Sequence, residues 1–237
     1  MERPVADFTR APCLGRGRGS QEVSRGAAAS FGSKWLRLSA VFAGMLVAGM
    51  AQADTLSGAA LVTALRQGGY VLVMRHASSP DAPPTAASAE PTNTKLERQL
   101  DAAGRGSAQA MGRAIKTLNI PVGEVWSSPT YRALETARLA GLPDPVTAVE
   151  LGDGGHSMQA TSKGQAAWLQ AKVAETPRAG TNTIVVTQYP NIQAAFGQSA
   201  AGLTEGDALV VRPDGAGEDE IVGRVRIAEW PGLAAQH

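Results

Sequence analysis

Residues 70–76 read YVLVMRH, an apolar run that ends in an arginine and a histidine. An uninterrupted apolar run of this length is typical of a strand buried on both faces of a sheet. Because arginine resists burial without an anionic partner, the pair Arg75-His76 at the end of such a strand is unusual. In open parallel sheets ligands bind beyond the carboxyl ends of the strands, so this strand end is a candidate binding site for an anion.

Strands and helices alternate along the chain on either side of this stretch. Helices are predicted from Ser57 to just before Gly68-Gly69, and over residues 106–118, 129–139 and 163–175. Strands are predicted over residues 124–128, 146–151 and 183–187, followed by a late antiparallel pair over 207–213 and 221–227. This order predicts an α/β protein, a three-layer α/β/α fold with a mostly parallel central sheet.

The first part of the chain has the pattern of an export signal. Lys34 and Arg37 precede an apolar run over residues 38–50, which ends in the small residues of Ala51-Gln52-Ala53. The run is short of the roughly 20 residues that span a bilayer, which favours a cleaved signal peptide over a membrane anchor. We therefore expect cleavage after Ala53, a periplasmic or secreted product without a stable membrane span, and one domain over residues 54–237. Residues 1–32 lack periodicity and are interpreted as a possible over-extended gene start.

Charge and cysteine content exclude several classes of partner. The chain has 22 Lys and Arg against 21 Asp and Glu, and residues 1–53 hold 7 and 3 of these, so residues 54–237 carry a net charge of −3. This balance does not favour nucleic acid as a partner. The single cysteine, Cys13, lies in the leader, which excludes disulfides and thiolate metal sites from the predicted domain. We expect neither a metal nor another cofactor.

A second candidate cluster follows the strand predicted over 124–128. Residues 127–132 read SSPTYR, and Arg132 falls in the first turn of the next predicted helix, near the positive end of its dipole. A cation is unfavourable there unless an anion binds beside it. Arg75 and Arg132 at neighbouring strand ends could bind phosphate oxygens with their planar guanidinium groups, and His76 between them could attack phosphorus.

Three motifs in this order resemble those of the histidine phosphatase (phosphoglycerate mutase-like) superfamily. VLVMRHA (71–77) is similar to its Arg-His-Gly signature, and SSPTYRALETARLAG (127–141) to its second arginine motif. VVTQYPNI (185–192) is similar to its third motif, in which the family has a histidine at the position of Gln188. The resemblance runs from about residue 61 to 230 and is closest to the short exported bacterial members.

The resemblance implies a role for each matching residue. His76 would be the nucleophile that forms a phosphohistidine, while Arg75 and Arg132 would bind the phosphoryl oxygens and stabilise the charge of the transition state. Gln188 would take the place of the second histidine, which hydrogen-bonds the phosphoryl group. Ala77 replaces the glycine of the signature, a mild change.

The residue that protonates the leaving group stays open between Glu150, Asp153 and His156, with Glu150 preferred. Each of them could equally be a solvated loop residue. Residues 77–94, rich in Ala, Pro and Ser, form either a loose connection or a lid over Arg75-His76.

Two functions follow from these residues. The first is an exported phosphomonoesterase that acts through phospho-His76 on a small phosphorylated substrate, by analogy a phosphosugar or a lipopolysaccharide phosphate. The second is a catalytically impaired pseudophosphatase that binds a phosphorylated ligand. Gln188 motivates the second, because a neutral amide is a weaker donor than a protonated imidazole by about 1–2 kcal/mol.

Overall fold

The computed structural model describes residues 55–152, 163–215 and 220–236. Their core is a six-stranded sheet in the order β3-β2-β4-β1-β5-β6. The strands are β1 (Val71–Arg75), β2 (Val122–Ser127), β3 (Val146–Thr147), β4 (Asn182–Thr187), β5 (Ala208–Arg212) and β6 (Glu220–Val225). The helices are α1 (Gly58–Gln67), α2 (Ala102–Thr117), α3 (Tyr131–Leu139), α4 (Lys163–Val173), α5 (Tyr189–Phe196) and α6 (Trp230–Ala235).

The sheet is mostly parallel, as predicted. Strands β3, β2, β4 and β1 run parallel, while β5 and β6 form the expected antiparallel pair at one edge. The parallel register places Arg75 opposite Thr187, and Ser127 opposite Val186. The three predicted strand ends, at His76, Ser128 and Gln188, therefore meet at the same edge of the sheet.

Strand β1 shows why its apolar run has no polar interruption. Val71 and Val73 pack on one face of the sheet, and Leu72 and Met74 pack on the other, as the two-residue period of a strand requires. The first face is covered by α4 and α5, and the second by α1, α2, α3 and α6. Helices on both faces confirm the three-layer α/β/α fold.

Several boundaries differ from the sequence-based expectation. The strand predicted over residues 146–151 is only two residues long, and a 3₁₀ turn over Val149–Leu151 follows it. Its two residues lie exposed at the edge of the sheet, where no second neighbour extends the pairing. The helix expected from Pro129 begins at Tyr131, because Thr130 still has an extended backbone.

Helix α2 begins at Ala102, earlier than expected, because Asp101 caps it. The Asp101 side chain accepts a hydrogen bond of 2.6 Å from the Gly104 N–H. Its other oxygen accepts a bond of 2.7 Å from the Ser78 hydroxyl. The cap thereby joins the start of α2 to the segment that leaves His76.

The leader predicted over residues 1–53 lies outside the described residues. Within the described part of the chain, every helix is too short or too polar to cross a bilayer.

Candidate active site

His76 lies at the end of β1 and is 2% exposed. Its backbone is held by both neighbouring strands, since its N–H donates to the Thr187 carbonyl and its own carbonyl accepts from the Gly206 N–H. The ring Nδ1 lies 2.7 Å from the Ala77 carbonyl oxygen. Because a carbonyl can only accept, Nδ1 carries the proton and Nε2 carries the lone pair. This is the tautomer that a nucleophile at Nε2 requires.

Burial keeps the imidazole neutral. Loss of solvent is the main cause that lowers the pKa of His76 from 6.5 to about 3. The positive charges of Arg132, Arg75 and Arg98 act in the same direction, and the hydrogen bond to Ala77 opposes them. His76 therefore stays neutral, with Nε2 unprotonated, throughout the physiological range of pH.

Arg132 comes from the first turn of α3 and connects the other two predicted residues. Its Nε donates to His76 Nε2 at 3.1 Å, and its Nη2 donates to Gln188 Oε1 at 2.7 Å. Thr136, one helical turn further on, donates to the Arg132 carbonyl at 2.8 Å and accepts from the Ala77 N–H at 3.0 Å. The second motif therefore orients both the guanidinium and the residue that follows the histidine.

Gln188 is the residue between the end of β4 and the start of α5, and it is 3% exposed. Its Nε2 donates to Thr130 Oγ1 at 3.0 Å and to Ser128 Oγ at 3.2 Å. This orientation of the amide is required, because a guanidinium can only donate and must face the oxygen. Both amide hydrogens are thus engaged, and Gln188 acts here as an anchor for Arg132. Its donation to a phosphoryl group stays a prediction.

Arg75 lies on the solvent-accessible side of the site, called its mouth, where its side chain is 25% exposed; the buried His76, Arg132 and Gln188 form its base. Its Nη2 forms an ion pair of 3.1 Å with Glu205, and its guanidinium lies 6.0 Å from the ring centre of Tyr189. Among the described residues, its Nε is buried and has no hydrogen-bond partner. An unpaired buried donor on a cation is costly, and a ligand oxygen would satisfy it.

The loop that follows His76 packs against the site. The Glu97 carboxylate accepts a bond of 2.8 Å from the Tyr131 N–H at the start of α3, and the Thr92 and Tyr131 hydroxyls lie 2.7 Å apart. Arg98 is buried and donates to the Pro80 carbonyl at 2.7 Å, and both burial and the charge of Arg132 lower its pKa. These contacts hold the loop beside α3, while its movement as a lid stays a prediction.

The structure does not bring Glu150 together with the other predicted residues. Glu150 belongs to the 3₁₀ turn and lines a groove that also contains Trp126, Trp168 and Lys172. Within the described residues, it forms no hydrogen bond or ion pair with the pocket, because the turn directs it toward α4 instead. Asp153 and His156 lie outside the described residues.

Sequence reasoning missed four contributors to the site. Ser128 and Thr130 accept the amide of Gln188, and their position in the second motif was a usable signal. Arg98 and Glu205 come from segments without a recognisable pattern and reach the site only through the folding of the chain.

Comparison with known proteins gives one family-model match and a set of solved structures with a similar fold. Residues 71–153 match the family model of the histidine phosphatase superfamily (branch 1). No curated protein matches the chain.

Solved structures with a similar fold include the protein histidine phosphatase SixA complexed with tungstate. It is 19% identical and has a TM-score of 0.51, with 68% of this chain and 98% of that chain covered. A variant of phosphoserine phosphatase from Entamoeba histolytica in complex with phosphoserine is 12% identical, with a TM-score of 0.44 over 65% of this chain and 95% of that one. YhfR from Bacillus stearothermophilus is also 12% identical, with a TM-score of 0.45 and coverages of 64% and 94%.

The family model covers the first two motifs, and the third motif meets them at the same edge of a sheet with the strand order described above. The overall fold is that of SixA. On these observations residues 71–153 match the histidine phosphatase superfamily, and the described chain shares the fold of SixA.

Proposed function

We propose that the protein is an exported phosphomonoesterase that forms a phosphohistidine at His76. The observation that carries this proposal is the state of the imidazole. Nδ1–H is bonded to the Ala77 carbonyl, and the Nε2 lone pair lies 3.1 Å from Arg132 Nε, at the base of the pocket. A neutral, oriented imidazole beside a guanidinium is suited to attack a bound phosphoryl group.

In the proposed reaction the two arginines bind the phosphoryl oxygens. Arg132 reaches them from the base, and Arg75 offers its unpaired Nε from the mouth. Attack by Nε2 on phosphorus forms the P–N bond, while the P–O bond to the leaving group breaks and its electron pair stays on the leaving oxygen. The product is a phosphorylated imidazolium, whose positive charge is stabilised by the bond from Nδ1–H to Ala77. Water then attacks phosphorus, and the P–N bond electrons return to Nε2. Because little covalent work is needed from the protein, orientation and charge dominate the rate.

Gln188 is expected to reduce the rate. An amide N–H contributes about 0.5–1.5 kcal/mol to a hydrogen bond, and a charged donor about 1.5–3 kcal/mol. The difference, about 1–2 kcal/mol, corresponds to roughly 5–30-fold in rate. Both amide hydrogens also bind Ser128 and Thr130 in the absence of ligand, so donation to a phosphoryl group requires one of these bonds to break.

The substrate class follows by analogy with the family and from the leader. A small phosphorylated molecule, such as a phosphosugar or a lipopolysaccharide phosphate, fits an exported enzyme of this type. The signal-peptide pattern over residues 34–53 supports export. Recovery of the protein from the periplasmic fraction with a new N-terminus after Ala53 would test this part, and recovery of a longer chain in the cytoplasm would contradict it.

The activity is tested with the purified domain and 4-nitrophenyl phosphate. Wild-type protein should release 4-nitrophenol with a burst equal to the enzyme concentration, provided that hydrolysis of the phosphoenzyme is the slow step. His76→Ala should abolish turnover, because it removes the nucleophile. Turnover that survives this substitution would rule out the phosphohistidine route.

The pseudophosphatase is the second candidate, and Gln188 is the observation that favours it. It predicts that inorganic phosphate binds to the wild-type protein while no phosphate ester is hydrolysed. A panel of phosphate esters, with phosphate binding measured by calorimetry on the same preparation, distinguishes the two functions.

A further inference from the structure

The site has a buried base and a partly exposed mouth. His76, Arg132 and Gln188 are each no more than 3% exposed. The side chains of Arg75 and Glu205, joined by the ion pair of 3.1 Å, are 25% and 26% exposed. A substrate therefore enters past Arg75 and Glu205, and its phosphoryl group reaches His76 last.

Glu205 is held at this mouth by the residues around the nucleophile. It lies in the connection that leads into β5, the antiparallel neighbour of β1. The next residue, Gly206, donates its N–H to the His76 carbonyl at 2.9 Å, and the Asp207 carbonyl accepts from the Arg75 N–H at 3.0 Å. The position of Glu205 relative to Arg75 and His76 is thus fixed by backbone bonds on both sides of the strand end.

The proposed reaction needs a proton for its leaving group, and the residues at the base cannot supply it. His76 uses Nε2 to attack phosphorus and keeps its other ring proton on the Ala77 carbonyl. Gln188 does not titrate, and guanidinium groups do not release protons in proteins. An alkoxide that leaves without a proton is a poor leaving group, so a titratable side chain at the mouth is required.

Displacement at phosphorus places the leaving oxygen opposite the nucleophile. Since Nε2 of His76 lies at the base, the leaving oxygen points to the mouth, where Glu205 lies. Among the described residues, the other carboxylate paired with an arginine of this region is Asp81, 3.4 Å from Arg98, and its side chain is 95% exposed. Glu97 also lies beside the site, but its carboxylate accepts from the Tyr131 N–H at the start of α3. Glu205 is therefore the described carboxylate that pairs with Arg75 on the exposed side of the site.

We propose that Glu205 is the catalytic residue that protonates the leaving group and then activates water; this rests on the phosphomonoesterase function proposed above. In the first step the P–N bond to Nε2 forms, the P–O bond to the leaving group breaks with its electron pair on oxygen, and that oxygen takes the Glu205 proton. In the second step Glu205 takes a proton from water, the new P–O bond forms, and the P–N electron pair returns to His76.

Substrate binding provides the proton that Glu205 needs. In the ligand-free site Glu205 is paired with Arg75, and a bound phosphoryl group would take over that guanidinium and release the Glu205 side chain toward the leaving oxygen. The proton comes from solvent or from the substrate itself, whose monoanion is populated near its second pKa of about 6.

The test uses Glu205→Gln and two substrates that differ in their leaving group. Glycerol 3-phosphate releases an alkoxide that needs a proton, whereas 4-nitrophenyl phosphate releases a stable anion that does not. We expect kcat/KM to fall by about 10²–10⁴-fold for glycerol 3-phosphate and less than tenfold for 4-nitrophenyl phosphate. Glu220→Gln is the matched control, because Glu220 also pairs with an arginine, at 2.8 Å from Arg212, away from the pocket.

Three outcomes would overturn the assignment. An equal loss on both substrates would mean that Glu205 only positions Arg75, and an equal gain would mean that it competes with the phosphoryl group for Arg75. If the loss of kcat/KM depended on the leaving group in Asp153→Asn and not in Glu205→Gln, the proton donor would be Asp153. Thermal unfolding of each variant separates these effects from misfolding. The variant Glu205→Asp is a second control, because it keeps a carboxylate and should retain part of the glycerol 3-phosphate activity.

The test also separates this assignment from the proposed function. If wild-type protein hydrolyses 4-nitrophenyl phosphate in a His76-dependent way and Glu205→Gln shows no leaving-group dependence, only the role of Glu205 is lost. If wild-type protein hydrolyses neither substrate, the proposed function fails and the role of Glu205 fails with it.

Discussion

Replacing Gln188 with histidine introduces the residue that the resemblance of the third motif implies at this position, and its effect can be worked out from the hydrogen bonds of the site. If the missing positive charge alone limited the enzyme, the exchange of an amide for a protonated imidazole would gain about 1–2 kcal/mol of transition-state stabilisation. That gain corresponds to a roughly 5–30-fold higher kcat/KM.

The same substitution removes the anchor of Arg132. A protonated imidazole has two donors and no acceptor, so it cannot replace the bond of 2.7 Å from Arg132 Nη2 to Gln188 Oε1. Losing a hydrogen bond to a charged group costs about 1.5–3 kcal/mol. A neutral imidazole could accept from Arg132 but would offer no charge to the phosphoryl group. Gain and loss are therefore of similar size, and we expect the Gln188→His variant to keep its kcat/KM within about fivefold of the wild-type value.

The assay is kcat/KM for 4-nitrophenyl phosphate between pH 5 and 8, together with the Kd for inorganic phosphate by calorimetry. Gln193→His is the matched control, because Gln193 lies exposed on the same helix, α5. If Gln188→His hydrolysed the ester with a kcat/KM more than about tenfold above wild type, and the control did not change, the reasoning would be refuted. Such a result would show that Gln188 is a decayed catalytic position and that its bonds to Arg132 contribute little.

Three further predictions concern stability, pH and phosphate binding. Gly104→Ala should lower the free energy of unfolding by about 1–3 kcal/mol, because a Cβ there would overlap the Ser78 carbonyl oxygen. Gly106→Ala should raise the free energy of unfolding by about 0.5–1 kcal/mol, because a Cβ there has nothing within 4 Å. Equal effects in urea denaturation would contradict the close packing of α2. His76 has a pKa of about 3 in the folded protein and 6.5 in the unfolded chain, so its contribution to stability should be complete above pH 6.5 and fall as pH is lowered toward 3. Over that window the free energy of unfolding of His76→Asn should fall by about 1.4 kcal/mol less per pH unit than that of the wild type. Identical pH dependence of the two free energies would contradict the buried neutral state of His76. Arg132→Lys should raise the Kd for inorganic phosphate at least tenfold, because one ammonium group cannot bind His76 and Gln188 together, and an unchanged Kd would argue against Arg132 as a phosphate ligand.

The parts of the fold that could be predicted are those in which a local pattern has a single physical solution. The apolar runs before His76 and Gln188 are long enough to be strands and too apolar to be half-exposed, so their place in the centre of a parallel sheet follows. Because parallel strands end at one edge of the sheet, the proximity of His76, Arg132 and Gln188 also follows from the order of the motifs.

The remainder depends on contacts that no local pattern encodes. The short strand β3 has too few residues for a period, and so the direction of Glu150 in the turn after it could not be predicted. Glu205 reaches Arg75 across 130 residues of sequence, through the antiparallel pairing of β5 with β1. The bonds of Gln188 depend on the conformation of two hydroxyl-bearing residues before α3, which the presence of Ser and Thr alone does not determine.

Phosphorylation of His76 during turnover is the central claim, and it can be measured directly. The enzyme is mixed with a phosphate ester, quenched with alkali within its first turnovers, and digested for mass spectrometry under conditions that preserve phosphohistidine. We predict a phosphoryl group on the peptide that contains His76, at up to one per protein molecule, and none in His76→Ala. An enzyme that hydrolyses the ester while His76 stays unmodified at every time point would contradict the claim.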